Sequence, residues 1–207
     1  MGLPVNAARR LPVPRQRSRQ RGLTLLEAIA VLGIAAIVLV GAISLFHNAT
    51  TAASASRLVD EVTGIENNVR SLSTSANDGV AQILYASSQS SQAQTGALMT
   101  QLAEANVFPQ TLEVSTVGNT TNVTDEWGGS VLVSPSQTVS NQLAVSFLIV
   151  PPDVCTRALI APGDWLAVSV NGDGAVSTFT STPSLAQAQT ACDTSTGFNI
   201  VTWSFAL

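Results

Sequence analysis

Nineteen consecutive residues, from Ala28 to Phe46, carry no charge, and nearly all of them are apolar. As a helix rising 1.5 Å per residue, such a run covers roughly 28 Å, close to the hydrocarbon thickness of a bilayer. A transmembrane helix is the direct expectation. Farther along, Leu58, Val62, Ile65, Val69 and Leu72 follow one another in steps of 4, 3, 4 and 3, the stripe of a single helix face. The pattern predicts that the membrane helix continues to about Leu72 as an amphipathic helix, its stripe buried against a globular head. Gly33, Gly41 and Gly64 lie within it, each weakening a helix by about 1 kcal/mol relative to alanine. Small residues also let helices approach closely in an apolar medium, so these glycines are expected to permit close packing or local melting, or else are simply tolerated.

Beyond the stripe the periodicity changes. Asn77-Asp78-Gly79 is a possible start for a second helix, and a polar Ser/Gln tract fills residues 87–94. The pattern Leu98-Met99-x-x-Leu102 reads as a helix ending near Asn106, with Pro109 unable to continue it. Strands are expected at 112–117, 130–133, 143–150, 166–170, 176–180 and 198–205, several of which alternate polar and apolar positions. Asn171-Gly172-Asp173-Gly174 is a strong hairpin turn between two of them. Residues 152–159 and 184–191 read as short helices, each beside or carrying a cysteine. A long N-terminal helix packed on an antiparallel sheet makes this an α+β chain.

Charge changes the picture by its placement. Only 11 % of the residues are charged, against about a quarter in a typical soluble domain. There is no lysine, and six of the nine basic residues (Arg9, Arg10, Arg15, Arg17, Arg19 and Arg21) precede position 23. All thirteen acids come later. The basic, proline-containing segment 1–22 reads as a cytoplasmic leader, and the positive-inside rule places everything after His47 outside. Without that leader, three arginines face thirteen carboxylates, a side-chain balance of −10. Such a body is repelled by nucleic acid, so no nucleic-acid partner is expected. His47 is the only histidine and no CxxC or Cys/His cluster exists, which argues against zinc. The Asn171–Gly174 turn lacks the remaining ligands of a calcium loop. No nucleophile, base and orienter can be assembled around His47, and no phosphate-cradling glycine loop is present. The expectation is therefore no catalytic residue, no metal and no cofactor.

Two simpler explanations of the N-terminus compete with a dedicated assembly helix. A secretory signal has a shorter apolar core, of roughly 7–15 residues. A plain signal anchor explains length and orientation but not Glu27. Insertion scales give about 2.5–3.5 kcal/mol for an acidic or basic group at mid-membrane, less near the edge. Cleavage between Gly22 and Leu23 would create an amino group four positions before Glu27, and the first helical turn favours negative charge. The pair could form within one chain or between neighbouring helices. The alternative is an interfacial glutamate that is merely tolerated.

Arg21-Gly22-Leu23-Thr24-Leu25-Leu26-Glu27, followed by the long apolar run, resembles the type IV prepilin processing site. In that family a membrane peptidase cuts after the glycine and methylates the new N-terminus. The resemblance implies that Gly22 is the cleavage residue, Leu23 the methylated first residue and Glu27 the carboxylate that meets a neighbouring subunit's N-terminus during assembly. The 22-residue leader and a first mature residue that is leucine rather than phenylalanine are similar to class B, the group of toxin-coregulated, bundle-forming and conjugative thin pili. The partners implied are a prepilin peptidase, inner-membrane assembly machinery, the membrane itself before assembly, and further copies of the chain in a homopolymer. The implied domains are a leader at 1–22, a membrane and filament-core helix at 23–46, its amphipathic continuation at 47–72 and a head at 73–207.

The likeness extends more weakly into the head, through Asn106-Val107-Phe108-Pro109, Trp127-Gly128-Gly129 and two distant cysteines. Cys155 and Cys192 fit one disulfide if the head is exported, or two unrelated buried thiols otherwise. The resemblance favours the disulfide and makes 155–192 a bounded region supplying contacts between subunits. Asn48-Ala49-Thr50, Asn119-Thr120-Thr121 and Asn122-Val123-Thr124 match the glycosylation triplet, which arises often by chance in a Ser/Thr-rich chain. Three functions are carried forward: a major structural pilin, a minor pilin or secretion-system pseudopilin, and a single-pass envelope protein with a ligand-binding head. The precursor is expected in the bacterial inner membrane and the product in an extracellular pilus. Adhesion, aggregation, conjugation and DNA uptake are all compatible with the sequence.

Overall fold

The structure is a computed structural model that describes residues 24–75, 92–118, 120–135, 142–172, 175–195 and 197–207. The helix start expected at Asn77, most of the Ser/Gln tract, and the turn residues Asp173 and Gly174 lie outside the described residues. The chain divides into two compact units, Met1–Leu45 and Phe46–Leu207. One helix, α1 (Leu25–Ser75), contributes to both and runs unbroken through Gly33, Gly41 and Gly64.

In the first unit the helix exposes Leu25, Leu26, Ile29, Val31, Leu32, Ile34 and the apolar residues after them. In the second unit the stripe behaves as its spacing predicts. Leu58, Val62, Ile65 and Val69 are buried, and Leu72 packs partly against the same core. Gly64 has a packing reason for lacking a side chain: a Cβ there would stand 3.1 Å from Cγ of Pro109. Asn68 Nδ2 donates to the Val107 carbonyl at 2.8 Å, fixing the same loop to the helix.

Helix α2 (Gln92–Glu104) buries Leu98, Met99 and Leu102. It ends through Asn106, whose φ of 55° reverses the chain ahead of Pro109. A hairpin of β1 (Glu113–Val117) and β2 (Thr120–Thr124) follows. A five-stranded antiparallel sheet contains β3 (Val131–Pro135), β4 (Gln142–Val150), β5 (Ala167–Asn171), β6 (Val176–Phe179) and β7 (Asn199–Ala206). Its order is β3-β4-β7-β5-β6, so the last strand of the chain lies in the middle. The hairpin reaches this sheet through one bridge, Thr124 to Ser130. β5 and β6 pair from Asn171 opposite Val176, as the turn residues predict. Two short helices complete the head, α3 (Pro152–Leu159) and α4 (Leu185–Cys192). Ser184 caps α4 in a capping box with Gln187.

Alternation decides which strand residues enter the core. In β4, Leu143, Val145 and Phe147 are fully buried; in β7, Val201, Trp203 and Phe205 face the same cluster. Phe147 and Trp203 meet edge to face, 6.0 Å between centroids. The α1 stripe, α2, the inner sheet face and both short helices share this one core. The fold is α+β, with a long N-terminal helix and an antiparallel head. One expected feature was too sparse: β2, read only as glycosylation triplets, is a regular strand.

Candidate functional site

Two places in the chain carry chemistry beyond packing. The first is the start of α1. Thr24 precedes the helix and its Oγ1 accepts a hydrogen bond from the Glu27 amide at 3.3 Å, while its carbonyl accepts from the Ala28 amide at 3.1 Å. Thr24 is thus the N-cap. The pattern Thr-x-x-Glu is that of a capping box, a helix-start signal present in the sequence itself. Glu27 sits in the first turn, where the free amides of the helix favour an anion. Its side chain is exposed among exposed apolar neighbours, and no Asp, Glu, Lys or Arg follows before Arg57. Gly22 and Leu23 lie outside the described residues, so the proposed cleavage point has no geometry here. The helix is long and apolar enough to cross a membrane, and none of its most apolar window is buried.

The second is the region bounded by the cysteines. Cys155 on α3 and Cys192 at the end of α4 are joined by a disulfide, and both are buried. The bond ties the two short helices to each other across 37 positions of sequence. Asn199, fully buried on β7, donates Nδ2 to the Cys192 carbonyl at 3.1 Å and so fixes the end of α4 to the central strand. The same region reaches α1 at its surface: Asp153 lies 3.5 Å from His47 Nε2, and Arg157 donates to Asn48 Oδ1 at 3.4 Å.

Buried carboxylates are what the apolar stripe did not reveal. Glu61 and Glu66 flank the stripe on α1 and are almost fully buried, as is Asp125 in the loop between β2 and β3. Burial pushes the Glu61 carboxyl above its usual range, offset in part by a hydrogen bond with Thr111 and reinforced by the nearby Glu126. Burial likewise raises Glu66, against the pull of Arg70 at 2.7 Å. Asp125 is raised by burial although its Oδ1 accepts from the Gly129 and Trp127 amides at 2.7 and 3.0 Å. Through these two bonds Asp125 braces the loop carrying Trp127-Gly128-Gly129. Gly129 itself has no room for a side chain, since a Cβ would lie 2.9 Å from the Ile149 amide nitrogen.

The apolar N-terminal residues of α1 are exposed, and the head is tied together by one disulfide. Comparison with known proteins agrees. The family model described as PilS N terminal matches residues 52–206. The chain belongs to the PilS family and is a type IV prepilin of class B. A prokaryotic N-terminal methylation motif matches residues 17–43, which covers Gly22, Leu23 and Glu27 of this prepilin. The pilin fold is shared with the crystal structure of a type IV b pilin from Salmonella typhi. That match has a TM-score of 0.54 at 15 % identity and covers 72 % of this chain and 97 % of the other. No curated protein matches the prepilin chain. Family and fold are those of structural proteins rather than enzymes.

Proposed function

We propose that this pilin is the structural subunit of a type IVb pilus. The precursor is held in the bacterial inner membrane by residues 23–46, with the basic leader 1–22 in the cytoplasm. A prepilin peptidase cuts after Gly22 and the new Leu23 amine is methylated. The assembly machinery then moves the subunit from lipid into an extracellular filament, where the apolar helices of many copies replace the lipid around one another. The chain performs no catalysis of its own, binds no cofactor or metal, and contributes surface.

The observation that carries this reading is Glu27. It is the single charge in the described helix before Arg57, placed in a capped first turn among exposed apolar side chains. Lipid offers that carboxylate nothing, and a methylated amine at Leu23 of a neighbouring copy offers it a counter-ion and a register. The N-cap at Thr24 supports the idea by fixing where the helix begins, so that Glu27 lies in its first turn. The disulfide-bounded region 155–192 is the surface through which heads meet.

The test has two parts. Mass spectrometry of the N-terminus of purified filaments should find methylated Leu23. Glu27→Ala and Gly22→Ala should leave the pilin in the membrane at normal level and abolish filaments. Pili of normal number from both variants, or a filament protein that still begins at Met1, would remove the basis of the proposal.

A further inference from the structure

Among the described residues several strand edges of the head are open: β1 and β6, and the facing sides of β2 and β3 except at the Thr124–Ser130 bridge. Followed through its pairings, the strand order reads β1-β2, the Thr124–Ser130 bridge, then β3-β4-β7-β5-β6. Among the described residues β1 pairs only with β2, and β6 only with β5. The two edges therefore stand at opposite ends of the order. All five residues of β1 are exposed, with Val117 75 % exposed, and Val176 at the start of β6 is 64 % exposed.

These edges carry nearly the same sequence. Val114-Ser115-Thr116-Val117 lies on β1 and Val176-Ser177-Thr178-Phe179 on β6. The type pattern, apolar-hydroxyl-hydroxyl-apolar, is the same read in either direction. Laid side by side, parallel or antiparallel, apolar residues face apolar ones and hydroxyls face hydroxyls, pairs that stabilise adjacent strands. Natural proteins usually blunt a free edge with lysine, proline or inward charge. Neither tetrapeptide has any of these, and β1 carries only Glu113, at its start. The rest of the chain argues for the same occupant. With thirteen acids and three arginines after the leader, most of the surface repels a second copy. Apart from Glu113 these two edges are uncharged, so copies can touch there with little of that repulsion.

We infer that β1 of one subunit adds to β6 of the next, so that the sheets of successive heads join edge to edge along the filament. The contact is heterologous, the same two unlike edges repeating without closure, which generates an open polymer rather than a ring or dimer. It rests on the pilus reading above, which supplies neighbours at a fixed spacing, and it adds a bond between heads to the packing of helices. Main-chain hydrogen bonds supply the affinity and the matched tetrapeptides supply the register.

Cysteine cross-linking in assembled filaments tests it. Cys155 and Cys192 are bonded to each other, so no free thiol of the native chain competes. Val117→Cys with Val176→Cys covers antiparallel pairing, and Val114→Cys with Val176→Cys covers parallel pairing. After mild oxidation, one double variant should give a ladder of dimer, trimer and higher species on non-reducing gels, whereas each single variant stays monomeric. Filaments in normal number with no ladder from either double variant overturn the edge contact and leave the pilus reading standing. Dimers from a single variant overturn the heterologous arrangement. Absence of filaments from the unaltered chain overturns the pilus reading itself. Should the double variants not reach filaments, Val117→Lys and Val176→Lys decide. A fall in filament number of about tenfold at unchanged membrane level supports the contact, because an edge lysine blocks strand addition, and an unchanged number overturns it.

Discussion

Glu61 is held where water cannot reach it easily. It lies one position before Val62 of the buried stripe, with Thr111 as hydrogen-bond partner and Glu126 and Asp125 as like charges nearby. Burial, the largest effect, raises its carboxyl above the ordinary 4.5. A group whose folded pKa is raised contributes stability that is full below the unfolded value and is lost as pH rises through the folded one. Glu66 and Asp125 are raised in the same direction. The head is therefore expected to lose stability as pH climbs from the ordinary carboxylate range toward neutrality, as far as these three groups decide it. Glu61→Gln keeps the shape and the hydrogen bond to Thr111 and removes the charge. Thermal unfolding of the detergent-solubilised pilin should show the variant above the parent at about pH 7 and level with it at about pH 4. A variant less stable at neutral pH would show that the ionised carboxylate is needed where it is. At this scale Glu27 stands out in the sequence, because a charge directly before nineteen uncharged residues has no packing explanation. Glu61 and Glu66 do not, because a stripe is recognised by its apolar members and says nothing of the polar residues that share its borders.

At the scale of elements, alternation and helical spacing carried most of the fold. The expected helix at 152–159 is observed with those bounds, because Pro151-Pro152 starts it and the residues after Leu159 leave the helical pattern. The strand expected at 143–150 begins one residue earlier and that at 198–205 is shifted by one, since their alternation is regular and their ends are set by neighbours. β2 escaped notice because Thr120-Thr121-Asn122-Val123-Thr124 holds a single apolar residue; its place comes from pairing with β1 and from α2 covering Thr121 and Val123. Strand order was illegible for a related reason. β7 enters between β4 and β5 from the far end of the chain, and nothing local to residues 199–206 encodes those partners. Between β5 and β7 in sequence lies α4, which is short and holds its place on the sheet through Cys192 and Asn199. Closing a loop of that length contributes roughly 4 kcal/mol in the chain-entropy model. Replacing both cysteines by alanine should lower unfolding free energy in urea by about that amount, with the loss confined to the head and the helical signal of the N-terminal segment retained. A loss below about 1 kcal/mol would mean that packing of α3 and α4 already holds the region without the bond.

For the whole molecule the decisive quantity is charge. Each arginine after the leader is engaged within its own chain: Arg57 with Glu126, Arg70 with Glu66 and the Ala206 carbonyl, Arg157 with Asn48. Thirteen carboxylates stand against these three cations. A filament of such subunits is a polyanion whose cohesion must come from contacts that salt does not weaken, apolar helix against apolar helix and backbone against backbone. Two kinds of association then respond oppositely to ionic strength. In the proposed filament, cohesion along its length would rest on buried surface and on a Glu27 pair shielded from solvent, both little affected by screening. Association between filaments sets like-charged surfaces against each other across water and is governed by the Debye length, about 10 Å at 0.1 M salt and about 3 Å at 1 M. Purified pili should therefore stay dispersed at low salt and bundle as ionic strength rises toward about 1 M. Filament length should stay constant throughout. Low-speed sedimentation reports bundling and electron microscopy reports length. Pili that bundle at low salt and separate at high salt would place opposite charges on facing filament surfaces. That outcome would require the acidic surplus to be masked in the assembled filament, by bound cations or by a basic partner.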